Sequence, residues 1–149
     1  MPHSAVIGLG SNLGNRQFYL QMANCLIGWE VGTIVRRSTV IETPAWGFES
    51  DPFLNQVIVV ETELSPMELL DTLQSIERRL GRTQKSTVVD GKPVYHARTI
   101  DLDILDYDRM KLQNDRLTLP HPHIAEREFV MVPLRQLNIN LTDNHEDTV

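Results

Sequence analysis

The sequence predicts an α+β fold in which an antiparallel β-sheet carries both long helices on one face. Two segments repeat apolar residues with helical spacing, and four segments that are rich in Val, Ile and Leu are typical of strands. The order of these elements along the chain is β-α-β-β-α-β. With right-handed crossovers, that order builds the ferredoxin-like sandwich.

The first half of the chain is predicted to hold one strand, one helix and two further strands. Residues 6–10 form a short apolar run that ends in the turn-forming sequence GSNLGN. Asn15 is placed to cap the helix that follows, and Gly28 is predicted to end it. Segments 31–43 and 53–63 are predicted strands on either side of PAWGFESDP, whose Pro and Gly residues disfavour regular structure.

The second half begins with a clearly marked helix. Ser65 is a capping residue followed by Pro and, at the third helical position, Glu68, and Gly81 follows the last apolar residue. Residues 83–97 are predicted to form a polar loop, in which the pair Asp-Gly favours a small hairpin. A strand over 98–106 comes next, and then a short strand, a Pro-rich turn and a last helical segment.

Length and composition indicate one domain over residues 1–137 and a loose tail over 138–149. The net charge of −6 argues against a nucleic-acid-binding surface, and no segment has the roughly 20 apolar residues of a membrane span. The lone Cys25 rules out an intrachain disulfide. A reducing cytoplasm, with no signal peptide, is the expected location.

Two carboxylates are predicted to share one face of the strand over 98–106. In ARTIDLDIL, apolar residues alternate with Asp101 and Asp103, so both carboxylates project away from the core, roughly 6.5–7 Å apart. Asp is disfavoured in strands, and like charges on one face repel. Mg²⁺, which joins carboxylates to substrate phosphates, removes that repulsion. A solvated sheet face is the alternative.

Basic residues concentrate next to this pair. Six of the fourteen Lys and Arg residues lie within 78–98, which suits a small polyanion, although a solvated charged loop has the same composition. Arg98 stands three residues before Asp101, where a guanidinium can neutralise phosphate charge. His121 and His123 flank a Pro, and a phosphate contact suits them better than zinc because no neighbouring residues complete four ligands.

Aromatic and amide side chains mark a second candidate subsite. Phe53 and Asn55 alternate onto one strand face, close to Trp46 in the preceding loop. Such a set suits a flat heterocycle, whose ring stacks while the amide recognises its edge, but ordinary core packing has the same residues. Gly8 and Gly10 miss the dinucleotide-binding spacing with Gly14, and therefore indicate a tight turn that can line a ligand site.

Taken together, six motifs in order resemble the 6-hydroxymethyl-7,8-dihydropterin pyrophosphokinase family. They are GLGSNLGN, ETPAWG, FLN, LQSIERRLGR, ARTIDLDIL and LTLPHPHIAEREFVMVPL, and the resemblance runs from about residue 5 to 137. It implies transfer of intact pyrophosphate from MgATP to the hydroxymethyl group of a reduced pterin, releasing AMP. It also implies the ferredoxin-like fold.

The resemblance further implies a role for each matching residue. Asp101 and Asp103 would bind two Mg²⁺ ions and, with Arg82 and Arg98, form the catalytic set. The ATP-binding residues would be Gln74, Glu77, Tyr95, Arg98, Ile104, Arg116, Thr118, His121 and Arg127. The pterin-binding residues would be Thr43, Ala45, Trp46, Phe53, Asn55 and Phe129. Tyr95 and Gln84 depart from the family pattern, which commonly has Trp and a basic residue there.

Other functions remain open from sequence alone. Palm-type nucleotidyl transferases and cyclases also pair acids on a ferredoxin-like fold, and a small-molecule-binding regulatory module would use the fold without metal. We expect small-molecule substrates only, with no nucleic-acid or membrane partner, and a monomer. Loops 44–52 and 83–97 are expected to act as mobile lids over the ligands.

Overall fold

The computed structural model describes residues 2–43, 52–81, 86–89, 92–95, 99–122 and 128–139. Within these ranges the helices and strands, in chain order, are β1 (His3–Ser11), α1 (Arg16–Glu30), β2 (Gly32–Arg37), β3 (Ile41–Thr43), β4 (Phe53–Thr62), α2 (Pro66–Arg79), β5 (Ser86–Val89), β6 (Lys92–Tyr95), β7 (Asp101–Tyr107), β8 (Leu112–Gln113), β9 (Thr118–Leu119) and α3 (Glu128–Gln136).

A five-stranded antiparallel sheet forms the frame of the molecule. Its order is β2-β4-β1-β7, with β3 also paired to β4, so β1 and β4 are the central strands. The main core lies between α1, α2 and one face of this sheet, which we call the helix face; buried members include Ile7, Ile27, Ile58, Leu73 and Ile76. The predicted ferredoxin-like sandwich is confirmed.

The third helix lies on the opposite face of the sheet. Val130 and Leu134 of α3 pack in a second cluster with Val6, Val59 and Leu105. This cluster covers one end of that face. The other end carries the candidate site and is called the site face below.

The beginning of the predicted tail is attached to α3. The backbone N–H of Asn138 donates to the Arg135 carbonyl at 3.1 Å, and that of Ile139 donates to the Leu134 carbonyl at 2.9 Å. Residues 140–149, the rest of the predicted tail, lie outside the described residues.

The start of α2 has the predicted capping box. The Ser65 hydroxyl accepts from the Glu68 backbone N–H at 3.2 Å, and the Glu68 carboxylate accepts from the Ser65 N–H at 2.9 Å. Gly81, predicted to follow the helix, has a φ of 104°, which side-chain-bearing residues rarely adopt. In the described part of the chain, no helix is both long and apolar enough to cross a membrane.

The prediction that Gly28 ends the first helix is wrong. Helix α1 continues to Glu30, and a Cβ added at Gly28 would meet no atom within 4 Å. The chain instead needs glycine at Gly32, where an added Cβ would overlap the backbone carbonyl of Glu61. Close approach to β4, a tertiary contact, therefore decides where glycine is required.

The single strand predicted over 31–43 is two strands. Between β2 and β3, the Ser38 N–H donates to the Val57 carbonyl at 2.9 Å, and the Ser38 hydroxyl accepts from the Val57 N–H at 2.9 Å. A hydroxyl thus replaces a backbone carbonyl in the ladder. The register of β2 against β4 also shifts between Ile34 and Arg36, and β2 continues past this irregularity to Arg37.

The segments after α2 differ in their bounds from the prediction. The strand predicted over 98–106 begins at Asp101 and ends at Tyr107. The small hairpin predicted within 83–97 is confirmed, because β5 and β6 pair antiparallel from Ser86↔Tyr95 to Val89↔Lys92.

We predict opposite effects for alanine at two neighbouring glycines. Gly28→Ala places a methyl in open space within a helix and should stabilise the protein by about 0.5–1 kcal/mol. Gly32→Ala must displace β4 and should destabilise it by at least about 2 kcal/mol. Urea unfolding measures both changes, and equal free energies of unfolding for the two variants would contradict this account.

A pH effect follows from the capping box. Two hydrogen bonds hold the pKa of the Glu68 carboxyl below its usual 4.5. The bond from the Ser65 backbone N–H has the larger effect, and the bond from the Ser65 hydroxyl has the smaller one. A depressed carboxyl pKa contributes stability above the unfolded pKa, and that contribution is lost as the pH falls through the folded pKa. The Tm of the Glu68→Gln variant should therefore fall less than the Tm of the native chain when the pH is lowered from about 5 to about 3. Parallel Tm profiles would refute the effect.

Candidate active site

The register of three adjacent strands places the candidate side chains in one row. Gly10 of β1 is paired with Asn55 of β4 on one side and with Asp101 of β7 on the other. Two residues earlier, Gly8 is paired with Asp103. With strands about 4.8 Å apart, the Cα atoms of Asn55 and Asp101 are separated by roughly 10 Å.

The predicted pterin-binding residues of β3 and β4 form one cluster. The Asn55 amide donates to the Thr43 hydroxyl at 2.7 Å, and Asn55 is only 3% exposed. Thr43 is the register partner of Phe53, so the ring, the amide and the hydroxyl lie together at the ends of two paired strands. The structure therefore brings Thr43, Phe53 and Asn55 to the same place.

Gly10 has no side chain at the point where this cluster approaches β1. A Cβ built there would lie 3.2 Å from the Asn55 Oδ1 and 3.3 Å from the Phe53 Cδ1. The amide oxygen and the ring edge thus lie over the backbone of β1. The tight turn predicted at Gly8 and Gly10 is wrong for these two residues, which lie within the strand β1. The turn follows that strand, and Gly14 there has a φ of 72°.

Asp101 and Asp103 have the alternation that the sequence predicts. Ile100, Leu102 and Ile104 are buried in the main core, whereas both aspartates are half-buried on the site face. The backbone N–H of Leu102, between them, donates to the Glu77 carboxylate at 2.8 Å. Helix α2 therefore fixes the strand segment that carries the carboxylates.

A β-bulge at Leu105 brings His121 next to β7. Ile7 pairs with Ile104 and Val6 with Asp106, so Leu105 is the extra residue. Its carbonyl accepts from the His121 backbone N–H at 2.9 Å, directly after the cis Leu119-Pro120 peptide. Bulges of this kind commonly occur next to active sites, where they redirect the chain.

Two predicted ATP-binding residues contact each other beside α2. The Arg116 guanidinium donates to the Gln74 side-chain oxygen at 3.2 Å and to the Asp71 carboxylate at 2.6 Å. The Asn114 side chain accepts from the Arg116 backbone N–H at 2.8 Å, which fixes the turn before β9. Thr118, also a predicted ATP-binding residue, is half-buried in β9.

Two further ATP-binding predictions concern buried side chains. Glu77 is 5% exposed and bonds to β7, and Ile104 is 3% exposed within the main core. Contact of either residue with a nucleotide stays a prediction.

The remaining predicted site residues lie outside the described part of the chain. Arg82, Arg98, Arg127, Ala45 and Trp46 are outside the described residues, as is His123. Only the backbone of Tyr95, in β6, and of Phe129, in α3, is described. The predicted lids, 44–52 and 83–97, fall mostly in the same undescribed ranges, so their movement stays a prediction.

Sequence reasoning missed Arg16, which links the two sides of segment 44–51. Its guanidinium donates to the Pro52 carbonyl at 2.7 Å and lies 2.9 Å from the Glu42 carboxylate. A cation in the first turn of a helix opposes the helix dipole, and that unfavourable position was the available signal. It also missed Asp71, because the partner of Arg116 comes from tertiary packing.

The two aspartates are suitable ligands for Mg²⁺. Both offer carboxylate oxygens from one strand face, and the backbone between them is anchored. Within the described residues no group of three or more His, Cys, Asp and Glu side chains could hold a metal. Two carboxylates without a complete protein cage suit Mg²⁺, which keeps waters and takes substrate phosphates as ligands.

Two comparisons with the sequences of known proteins indicate the same family. A profile of the family described as 7,8-dihydro-6-hydroxymethylpterin-pyrophosphokinase (HPPK) matches residues 6–139. The 2-amino-4-hydroxy-6-hydroxymethyldihydropteridine pyrophosphokinase of Porphyromonas gingivalis is 46% identical over 130 residues, which are 86% of each chain. The enzyme of the same name from Bacillus subtilis is 38% identical over 139 residues, covering 92% of this chain and 79% of that one.

A solved structure shares the fold. A Plasmodium falciparum HPPK-DHPS triple mutant with STZ-DHP superposes with a TM-score of 0.76 at 14% identity, covering 97% of this chain. The chain spans 42% of that bifunctional protein, so the likeness concerns the fold of one part. The family profile and the sequence relatives show more: the chain belongs to the 7,8-dihydro-6-hydroxymethylpterin pyrophosphokinase family.

Proposed function

We propose that the chain transfers the β,γ-pyrophosphate of MgATP to the hydroxymethyl group of 6-hydroxymethyl-7,8-dihydropterin. The products are AMP and the pterin diphosphate. The reaction serves folate synthesis, the process that appears in the name of a related bifunctional protein of Pisum sativum. The observation that supports this most strongly is the row Asn55–Gly10–Asp101, which sets a heterocycle-binding amide beside a carboxylate pair.

Phe53, Asn55 and Thr43 form the described part of the pterin subsite. The Thr43 hydroxyl takes one amide hydrogen of Asn55, which orients the Asn55 oxygen over Gly10. There it accepts from a ring N–H, while Phe53 stacks on the ring. Ala45, Trp46 and Phe129 complete this subsite in the proposal.

In this proposal Asp101 and Asp103 would hold two Mg²⁺ ions. When bound, the ions neutralise the charge on the phosphate oxygens of ATP. Glu77 supports this arrangement from behind, because its carboxylate fixes the Leu102 N–H between the two aspartates.

The remaining predicted residues bind the nucleotide. Arg98, His121 and Arg127 contact the triphosphate, and Arg82 helps to close the basic segment 78–98 over it. The adenosine side is formed by Gln74, Glu77, Tyr95, Ile104, Arg116 and Thr118. The 3.2 Å contact between Arg116 and Gln74 supports a shared subsite for that group.

The chemical step is a displacement at the β-phosphorus. The pterin hydroxyl oxygen forms a bond to this phosphorus, the bond from it to the oxygen bridging to the α-phosphorus breaks, and AMP leaves with that oxygen. One of the two aspartates accepts the hydroxyl proton. The protein contributes positioning and charge stabilisation, since nothing in the step requires a covalent enzyme intermediate.

The proposal has two further parts, which concern location and oligomeric state. Cys25 has no partner in the sequence for an intrachain disulfide, which suits a cytoplasmic protein. The second statement is that the protein is a monomer. Size-exclusion chromatography with light scattering tests the second statement.

The decisive test of the reaction is which nucleotide accumulates. Incubation with MgATP and 6-hydroxymethyl-7,8-dihydropterin should give AMP in step with pterin diphosphate, as resolved by anion-exchange chromatography. ADP as the product would indicate single phosphoryl transfer. Release of free pyrophosphate without pterin would indicate a nucleotidyl transferase or cyclase, and Mg²⁺-independent binding without turnover would indicate a regulatory module.

Neutralising either aspartate should remove most activity without unfolding the protein. Asp101→Asn and Asp103→Asn are each expected to lower kcat at least roughly 100-fold, because metal-bound phosphate charge is then poorly stabilised. Both side chains are half-buried, so the Tm should change little. Glu61→Gln, an exposed acid at the opposite end of β4, is the matched control. A turnover within a factor of three of the native chain in either aspartate variant would overturn the metal assignment.

Removing Arg116 should weaken ATP binding selectively. Arg116→Ala is expected to raise the KM for ATP roughly 3- to 10-fold and leave the KM for the pterin unchanged, because the contact that we propose between the exposed Arg116 guanidinium and the nucleotide is lost. Arg37→Ala, an exposed arginine on β2, is the control. Steady-state kinetics with each substrate varied in turn gives both constants, and an unchanged KM for ATP would place Arg116 outside the nucleotide subsite.

A further inference from the structure

We infer that Gly10 positions the groups that bind the pterin substrate, because its missing side chain leaves room for the Asn55 amide and the Phe53 ring over β1. The inference rests on the proposed function and adds to it a residue that acts through Asn55 and Phe53. Gly10 is therefore a positioning residue.

Space, and not backbone conformation, requires glycine here. Gly10 lies within the regular strand β1, and only Gly14 and Gly81 among the described glycines have a positive φ. Glycine weakens a strand, so its presence at a central position needs a reason. The 3.2 Å and 3.3 Å approaches of Asn55 and Phe53 to an added Cβ supply that reason.

The Asn55 amide has little room to retreat from a side chain at Gly10. Asn55 is 3% exposed, and its amide is held at 2.7 Å by the Thr43 hydroxyl. Thr43 is itself held in the ladder, opposite Phe53. A methyl group at Gly10 must therefore shift the amide oxygen, the ring edge or both by a few tenths of an ångström. Those are the two groups that recognise the heterocycle.

Gly8 provides a matched comparison in the same strand. It faces the same side of the sheet, and it pairs with Asp103 in β7 as Gly10 pairs with Asp101. A Cβ at Gly8 would meet the Leu105 side chain at 3.5 Å, which is ordinary van der Waals contact. An added methyl is accommodated there, beside the second core cluster and away from Asn55.

The test compares Gly10→Ala with Gly8→Ala in steady-state kinetics. Gly10→Ala should raise the KM for the pterin roughly 3- to 10-fold with the KM for ATP within twofold of the native value, since small misplacement of binding groups is costly. Gly8→Ala should leave the KM for the pterin within twofold. The native chain must produce AMP in the same assay. If it does not, the proposed function is wrong, and the result says nothing about the role of Gly10.

Three results would overturn the inference while the proposed function stands. One is an unchanged KM for the pterin in Gly10→Ala. Another is an equal rise in both KM values, or an equal effect of Gly8→Ala, since either would indicate general damage to the sheet. The third is a Gly10→Ala protein that fails to fold, as judged by circular dichroism, because glycine would then be a structural requirement.

Discussion

The antiparallel pairing of β1 with strands on both of its sides is the constraint on which the site depends. Because β1 is central, its register fixes β4 and β7 relative to each other, and Asn55, Gly10 and Asp101 become neighbours across three strands. A slip of one residue in either pairing would turn Asn55 or both aspartates toward the helices. The buried residues Leu9, Leu54 and Leu102 prevent such a slip, since each belongs to the main core. The packing of the helix face therefore determines which side chains lie together on the site face.

The two ends of the site face are adapted to different tasks. At one end, α3 packs on Val6, Val59 and Leu105, and that end contributes stability. At the other, Asp101 and Asp103 are half-buried, and the buried Asn55 amide is held by the Thr43 hydroxyl. The bulge at Leu105 links the two ends, since its side chain packs under α3 while its carbonyl holds His121. One extra residue in a strand thus serves both the core and the placement of a candidate phosphate-binding imidazole.

Local signals in the sequence predicted much of this architecture. The Ser65 capping box and the alternation around Asp101 and Asp103 depend on residues close in the chain, and the structure confirms both. The predictions that failed depend on distant contacts. Helix α1 passes Gly28, and the position that requires glycine is Gly32, where β4 approaches closely. The first long strand is interrupted at Ser38, whose hydroxyl bonds to the Val57 N–H. Within the site, the Asn55–Thr43 and Arg116–Gln74 contacts likewise join residues that only the fold brings together.

A crystal structure of the complex with Mg²⁺, a non-hydrolysable ATP analogue and 6-hydroxymethyldihydropterin tests the central claim most directly. The account predicts the pterin ring against Phe53 and over Gly10, with the hydroxymethyl oxygen directed toward phosphates whose metal ions are bound by Asp101 and Asp103. Metal ions bound by other residues, or a pterin that does not contact Asn55, would contradict it.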